Sequence, residues 1–317
     1  MNRIVVSEER DPYYNLALEE DLLRGVRPDE VILYLWQNEK TVVIGRNQNP
    51  YLECDVSQLT ASGVRLARRI SGGGAVYHDL GNLNFTFIYH ESRKNLDKQL
   101  NVIKKAVEAL GGVTVELSGR NDLTIQGQKF SGHAFYAEDG HEFHHGTLMV
   151  DVDLGQLENV LKPSKLKMQA KGITSVKSRV VNLKKLNPSF SVDKLSYLLK
   201  VYFEEAYGVT SEPLKYHGKN YTPTNLHKYK DPKWVYGESP KYDVILEKRT
   251  SFGIIQALLN VENGIIKNIK IHSDSLSILD YEPLEQQLTG MEFNPFFEKK
   301  LFDEIDAMSN FPKNRNL

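Results

Sequence analysis

LARRISGGGAVYHDLGNLNFTFI, residues 66–88, decides how the rest of the chain is read. It joins an arginine pair, Arg68 and Arg69, to three consecutive glycines, Gly72, Gly73 and Gly74, and then to an alternating strand from Leu83 to Tyr89. Glycines in a row weaken a helix or strand interior, because each loses more conformational entropy on ordering than any other residue. They suit a place where backbone passes close to a guest and turns its N–H groups toward it. Phosphate and carboxylate are the guests such a loop accepts, and a neighbouring arginine adds charge. A plain turn with two solvent-facing arginines reads equally well from these residues alone. The usual nucleotide fingerprints do not fit: there is no G-x-x-x-x-G-K-[ST], and the glycines do not open a helix in a G-x-G-x-x-G pattern.

Upstream, Arg3 to Ser7 reads as a short strand, and Asp11 caps a helix with Pro12 at its first position. VILYLW (31–36) and TVVIG (41–45) read as strands separated by the polar turn 37–40. Downstream, Leu100, Ile103, Val107 and Leu110 fall at helical spacing, and Gly111-Gly112 ends that helix. LTI (123–125), QKF (128–130) and GTLMVDVD (146–153) read as strands. Residues 191–207 form an amphipathic helix with Leu195, Leu198, Leu199, Tyr202 and Ala206 on one face, stopped by Gly208.

From Ser211 to Asp243, Pro213, Pro223, Pro232 and Pro240 punctuate a tyrosine-rich stretch that reads as a connection between units. Beyond it, IIQALLNV (254–261) and IIKNIKI (265–271) flank Glu262-Asn263-Gly264, a strong hairpin signal, with short helices expected near 282–289 and 296–308. Strands cluster rather than alternate with helices, so the fold class is α+β, with a large unit over 1–243 and a small α/β unit over 244–317.

A chain of 317 residues with 40% hydrophobic and 26% charged residues is ordinary for a globular protein. Its 40 Lys+Arg balance 41 Asp+Glu, so no global field drives nucleic-acid binding. The single cysteine, Cys54, excludes an internal disulfide and a cysteine-rich zinc site, and it reads as a small buried hydrophobe. The opening residues lack the apolar core of a secretory signal, and no apolar run reaches the ~18 residues of a membrane span. A cytoplasmic protein, with no membrane partner, is expected.

Lys129 follows Gln126-Gly127, a turn between two short strands; taken alone it is a solvated surface charge. Residues 162–185 hold eight Lys/Arg and no Asp or Glu, ordinarily a solvated face. His144 and His145 adjoin on a strand, so their side chains point to opposite faces and make no metal site by themselves. His78-Asp79 has no serine or cysteine nucleophile close by in sequence and reads as a turn.

RRISGGGAVYHDLGNLN resembles the signature of lipoate–protein ligases. LALEE (16–20), LWQNEKTVVIGRNQNP (35–50), GRNDLTI and KFSG (119–132), FHHGTLMVD (143–151) and AKGITSVKSRVVNL (170–183) match in order. WVYGESPKYD (234–243) and IHSDSL (271–276) resemble the accessory domain of the long-form ligases, so the likeness covers essentially the whole chain.

The resemblance implies a biotin/lipoate ligase-like, class II synthetase-like catalytic domain plus an accessory domain. The reaction implied is ATP-dependent conversion of lipoate to lipoyl-AMP, then transfer to a lysine of apo lipoyl domains in 2-oxoacid dehydrogenase complexes or of the glycine-cleavage H protein. It assigns Lys129 to the lipoate carboxylate and the α-phosphate. Arg69 is to pair with carboxylate or phosphate, and Gly73, Gly74, Ala75, Val76, Tyr77 and Asn82 are to line the acyl-nucleotide pocket. Lys171 and Gly172 are to centre a closing loop, with Asp122 near Mg²⁺. Val42 and Ile44 suit either an apolar lipoyl tunnel or plain core. A monomer is expected. The competing readings are an ATP-independent octanoyl or lipoyl transferase, which needs a pocket cysteine, and a non-catalytic paralogue.

Overall fold

The computed structural model describes residues 2–118, 122–162, 180–209, 211–237, 242–250, 253–276, 279–294 and 296–308. Its first unit is built on β1 (Arg3–Ser7), β2 (Val31–Trp36), β3 (Thr41–Ile44), β4 (Arg65–Arg68), β5 (Val76–His78), β6 (Asn82–His90), β7 (Glu116–Ser118), β8 (Asp122–Ile125), β9 (Gln128–Glu138), β10 (His141–Met149) and β11 (Leu214–Tyr216). Eight of these form one sheet in the order β11-β1-β2-β6-β10-β9-β8-β7, and β4-β3-β5 form a second, smaller sheet. β1 runs parallel to both β2 and β11, whereas the centre of the large sheet is antiparallel. β2 and β3, adjacent in sequence, lie in different sheets.

Among the described residues, three long helices flank these sheets, α1 (Pro12–Gly25), α2 (Leu96–Gly111) and α4 (Val192–Tyr207), with the short α3 (Leu154–Val160) beside the small sheet. Each long helix begins on a side-chain cap. Asp11, Asn95 and Ser191 accept backbone N–H groups at the three N-termini, which satisfies donors that a helix start leaves open. Gly112 and Gly208 close α2 and α4 in the left-handed region, which glycine enters without a Cβ penalty. α2 and α4 bury Ile103, Val107, Leu195, Leu199 and Phe203 against Phe85, Phe87 and Leu148 on one face of the large sheet. The other face packs Tyr34, Trp36, Ile88 and Phe143 against α1 and the small sheet.

The stretch read as a bare connection does more than connect. Leu214–Tyr216 is the eighth strand, paired in parallel with β1, and short helices follow at Leu226–Lys230 and Pro232–Tyr236. Three exposed or half-exposed residues at a sheet edge give no periodic signal, and their partner lies about two hundred residues away, so sequence spacing does not show the pairing.

The second unit is an antiparallel meander of β12 (Val244–Arg249), β13 (Ile254–Glu262) and β14 (Ile265–Ser273), covered by α5 (Glu282–Leu288) and α6 (Phe297–Met308). Asn263 and Gly264 turn the β13–β14 hairpin at φ of 51° and 76°, the two-residue geometry that Asn-Gly favours. Its core is separate, with Ile255, Leu259, Ile266, Leu288, Leu301 and Ile305 at its centre.

Candidate functional site

Lys129 stands at the start of β9, set there by a tight turn in which Gln126 and Gly127 take φ of 52° and 75°. Its Nζ lies 2.7 Å from Asp122 Oδ1 on the neighbouring β8, and the lysine side chain is 21% exposed. Asp122 pairs with Gly132 across β8 and β9, and a methyl group on Gly132 would come within 2.7 Å of Lys129 Nζ. The missing side chain at residue 132 therefore gives the ammonium its resting place. Lys129 is further fixed from behind, where its carbonyl accepts the N–H of Val181 at 2.8 Å.

The glycine loop lies over the same face of the sheet, with Gly73 against Ala134 and at a φ of 94°. Arg69 is 5% exposed and turned inward beneath this loop. Its Nη2 donates to the carbonyls of Gly72 at 2.7 Å and Gly74 at 2.8 Å, Nη1 donates to Val43 O, and Nε to Ser71 Oγ. The arginine thus shapes the loop from the rear. Arg68, equally buried, donates to the carbonyls of Trp234, Val235, Gly45, Arg46 and Gln48, which ties the connecting stretch to the loop after β3. Burial lowers both guanidinium groups to about 10.

The second unit meets the first at this loop. Gly73 N–H donates to Ser275 O at 2.7 Å, and Ser273 N–H donates to Asn47 O at 2.9 Å. Gly72 passes so close that a methyl group there would lie 2.3 Å from Ser275 O.

Val76 and Tyr77 continue from the loop as β5, paired with Val43 and Val42 of β3. Tyr77 and Ala75 pack with Val42, Ile44 and Cys54, so these residues form a continuous apolar cluster. Asn82 opens β6, donates through Nδ2 to Asn84 Oδ1 and leaves its own Oδ1 without a partner among the described residues; Asn84 Nδ2 and His78 Nε2 are in the same state. Buried polar atoms are normally paired, so such atoms mark where water or ligand belongs. Burial, followed by the charge of Arg69 and His145, holds His78 down to about 3.

The two adjacent histidines do point to opposite faces. His144 meets His133 and Gln99 on the α2 side, and His145 meets Ser71 and Glu19 on the glycine-loop side. Sequence reading did not single out Glu19, Ser71, Asn84 or Gly132. The period-two alternation of β6, β9 and β10 is the one signal that could have placed Asn84 and Gly132 on the site face. Cys54 is fully buried, and burial pushes its thiol up to about 12. Lys171 and Gly172 lie outside the described residues. Among the described residues, no three His, Cys, Asp or Glu side chains cluster as a metal cage, and no helix is long and apolar enough to cross a membrane.

The sequence and the fold resemble those of known proteins. The family described as "Lipoyl protein ligase A/B catalytic domain" matches residues 11–204, and "Bacterial lipoate protein ligase C-terminus" matches residues 239–316. A curated lipoate-protein ligase A of Psychrobacter cryohalolentis is 38% identical over 96% of this chain and 92% of its own. P. falciparum LipL1, solved in complex with lipoate, superposes with a TM-score of 0.79 at 28% identity, covering 97% of this chain and 98% of that one. A bipartite lipoate protein ligase of Thermoplasma acidophilum, described with its E2 lipoyl domain, matches at TM-score 0.65 and 26% identity over 77% of this chain and 99% of that one. A lipoate-protein ligase A bound with ATP matches at TM-score 0.62 and 25% identity, over 74% and 98%. The chain belongs to the lipoate–protein ligase A family.

Proposed function

We propose that this lipoate–protein ligase runs both half-reactions beneath the glycine loop, on the sheet face that carries Lys129, Asp122 and Gly132. The chain activates lipoate with ATP and transfers the lipoyl group to a lysine of an acceptor lipoyl domain. First, a lipoate carboxylate oxygen attacks the α-phosphorus, pyrophosphate leaves, and lipoyl-AMP forms. Then the neutral amine of the acceptor lysine attacks the lipoyl carbonyl, AMP leaves with the bonding electrons, and an amide remains.

The observation that carries this reading is the ammonium of Lys129, held at 2.7 Å by Asp122 in a niche that Gly132 leaves open. Carboxylate and α-phosphate repel one another as they meet. A fixed cation offsets that repulsion and stabilises the charge that concentrates on oxygen in the transition state. Backbone N–H groups of Gly74 and Ala75 serve the same anions, and Val76, Tyr77 and Asn82 line the acyl-nucleotide.

Mg²⁺ usually binds through one or two carboxylates together with substrate phosphates, and a single carboxylate at Asp122 fits that donor set. Asp122 would hold the ion, whose chemistry is neutralisation of phosphate charge. Lys171 and Gly172 close over the nucleotide in this reading. The catalytic unit is taken as 1–243 and the accessory unit as 244–317. The acceptors are the lipoyl domains of 2-oxoacid dehydrogenase acyltransferase subunits and the glycine-cleavage H protein, and the cytoplasm is the compartment.

The ATP-independent transferase reading is opposed by Cys54, whose buried thiol gives no accessible thiolate. Mass spectrometry of an apo lipoyl domain incubated with enzyme, lipoate, ATP and Mg²⁺ tests the proposal. One lysine should gain a lipoyl group, and Lys129→Ala should abolish the gain. Modification that proceeds without ATP would overturn it.

A further inference from the structure

This inference rests on the ligase reading and concerns what holds the glycine loop in shape. Behind the loop runs an unbroken row of buried side chains. Trp36 Nε1–H donates to Thr86 Oγ1 at 3.1 Å, and Thr86 donates to Glu19 Oε1 at 2.6 Å. His145 Nδ1 lies 2.9 Å from the same Glu19 oxygen, His145 Nε2 lies 2.8 Å from Ser71 Oγ, and Arg69 Nε donates to Ser71 Oγ at 3.0 Å. No member is more than 6% exposed.

The roles along the row follow from the partners. A carboxylate only accepts, so His145 donates to Glu19 through Nδ1, and Nε2 is left to accept the Ser71 hydroxyl proton. With that proton committed, Ser71 Oγ is open to the Nε–H of Arg69. Arg69 then gathers the carbonyls of Gly72 and Gly74 through Nη2. In a trans peptide the C=O and N–H point in opposite directions. Drawing those two carbonyls back therefore turns the N–H groups of Gly73 and Ala75 to the front. The Gly73 N–H does face away from Arg69, toward the oxygen of Ser275.

We propose that Glu19 and His145 are positioning residues, which fix the Ser71 hydroxyl and through it Arg69, so that the Gly73 N–H holds Ser275 O of the second unit and the Ala75 N–H is aimed at the anionic oxygens of the reaction. The order Ser71–His145–Glu19 also matches that of a nucleophile, a base and an orienting acid. Here the serine is fully buried and its oxygen is occupied by an arginine donor, so the row braces the loop and does not accept an acyl group.

The test uses the full chain. Nitrogen NMR of histidine-labelled protein without substrates should show His145 protonated at Nδ1 and not at Nε2. Both Thr86 and His145 reach the one oxygen Oε1, which an amide would still supply, so the variant is Glu19→Leu, of similar size, which removes the acceptor of Nδ1–H and releases the tautomer. In it and in Ser71→Ala, kcat for lipoate-dependent ATP–pyrophosphate exchange, counted per active site, should fall about tenfold or more. KM for lipoate should stay within about twofold, since the aimed N–H acts in the transition state. Ser71→Thr, which keeps the hydroxyl, should restore most of the rate. Unchanged kcat per folded site in Glu19→Leu would mean a merely structural role and would overturn the proposal. So would a wild-type Nε2–H tautomer, which is decisive even if the variants do not fold, and so would a lipoyl ester on Ser71 in the intact mass. Absence of any exchange in wild type would sink the ligase reading instead, and the tautomer would still decide the brace.

Discussion

Lys129 Nζ lies 2.7 Å from Asp122 Oδ1, across two paired strands and at the edge of solvent, with 21% and 11% of the two side chains exposed. The pair holds the ammonium of a long, flexible side chain in one place before substrate arrives, so less of its rotamer entropy remains to be lost during reaction. Lys129→Ala is expected to lower kcat for lipoyl-adenylate formation by ~10²–10³-fold, the scale of losing one preorganised charge-stabilising donor. Lys129→Arg should rescue little, because a planar fork does not fit a niche shaped for a point charge. Single-turnover pyrophosphate release measures both, and near-wild-type rates in Lys129→Ala would remove the lysine from the mechanism.

Gly132 sets the space for that ammonium. Adding a methyl group there puts carbon 2.7 Å from Nζ and 2.9 Å from Cε, the mobile end of the side chain. Gly132→Ala should therefore displace the lysine more than the fold. Adenylation is expected to slow by about tenfold, in line with the sensitivity of catalysis to small misplacements, while the thermal midpoint changes by only a few degrees. Calorimetry beside kinetics separates the two, and a large drop in melting temperature with unchanged rate would contradict this account.

At the glycine loop the two units meet through backbone, so Gly72 admits no side chain there, while Asn47 and Asn49 add side-chain bonds to Leu279 O and His272 nearby. Gly72→Ala would press a methyl group to 2.3 Å from Ser275 O and 2.9 Å from Leu276 O, both main-chain atoms. The units should separate there. Amide exchange at Gly73 and Ser273 is expected to quicken by at least ~10-fold, because both N–H groups lose their partners across the contact. Amides inside β13 and β14 should keep their protection. Uniform loss of protection would instead mean that the substitution unfolds the protein.

Acid should weaken the fold through its buried histidines. Burial holds His78 and His133 down to about 3 and His272 to about 4, so these rings stay neutral in the native state. In the unfolded chain each takes up a proton near pH 6.5. Below that point the unfolded chain binds more protons than the fold, so stability is complete above about pH 6.5 and falls as the pH drops toward 4. Each ring contributes a loss of ~2 kcal/mol by pH 5. Melting temperatures at pH 7, 6 and 5 should decline in order, and His272→Gln should flatten part of the slope.

Periodicity and caps made the local elements readable. Asp11, Gly112 and Gly208 mark helix ends in sequence and in structure, and Asn263-Gly264 makes the turn its letters suggest. Even so, the amphipathic helix near 200 turns its face slightly: Phe203 is fully buried, while Tyr202 and Leu198 only flank the core. A helical stripe is about a third of the circumference wide, and hydrophobic residues at its margins look alike in sequence. Long-range pairings were not legible. Nothing local tells Leu214–Tyr216 to lie beside β1, or sends β2 and β3 to different sheets.

The site divides in the same way. The glycine loop stood out because glycine runs leave a compositional trace, whereas Lys129, taken alone a solvated surface charge, was singled out only by the family resemblance. Glu19 and His145 meet across 126 residues of chain, and a glutamate in a leucine-rich helix looks like any surface carboxylate until the fold buries it. Arg69 stood out for its charge, yet its guanidinium faces backbone carbonyls, a role that no sequence pattern distinguishes from anion binding.

The stretch after Tyr207 is stitched into the first unit along its length, by an edge strand beside β1, the hydroxyl of Tyr221 on Asp21, the hydroxyl of Tyr229 on Glu20, and the carbonyls of Trp234 and Val235 on Arg68. Severing the protein into two polypeptides is consequently tolerable at one place and ruinous at another. Fragments divided just past Gly237 each retain the contacts that fold them. A break near Gly208 would strip the large sheet of its outermost strand, expose the backbone of β1 as a sticky rim, and take from the buried Arg68 the two carbonyl partners it has in the later stretch.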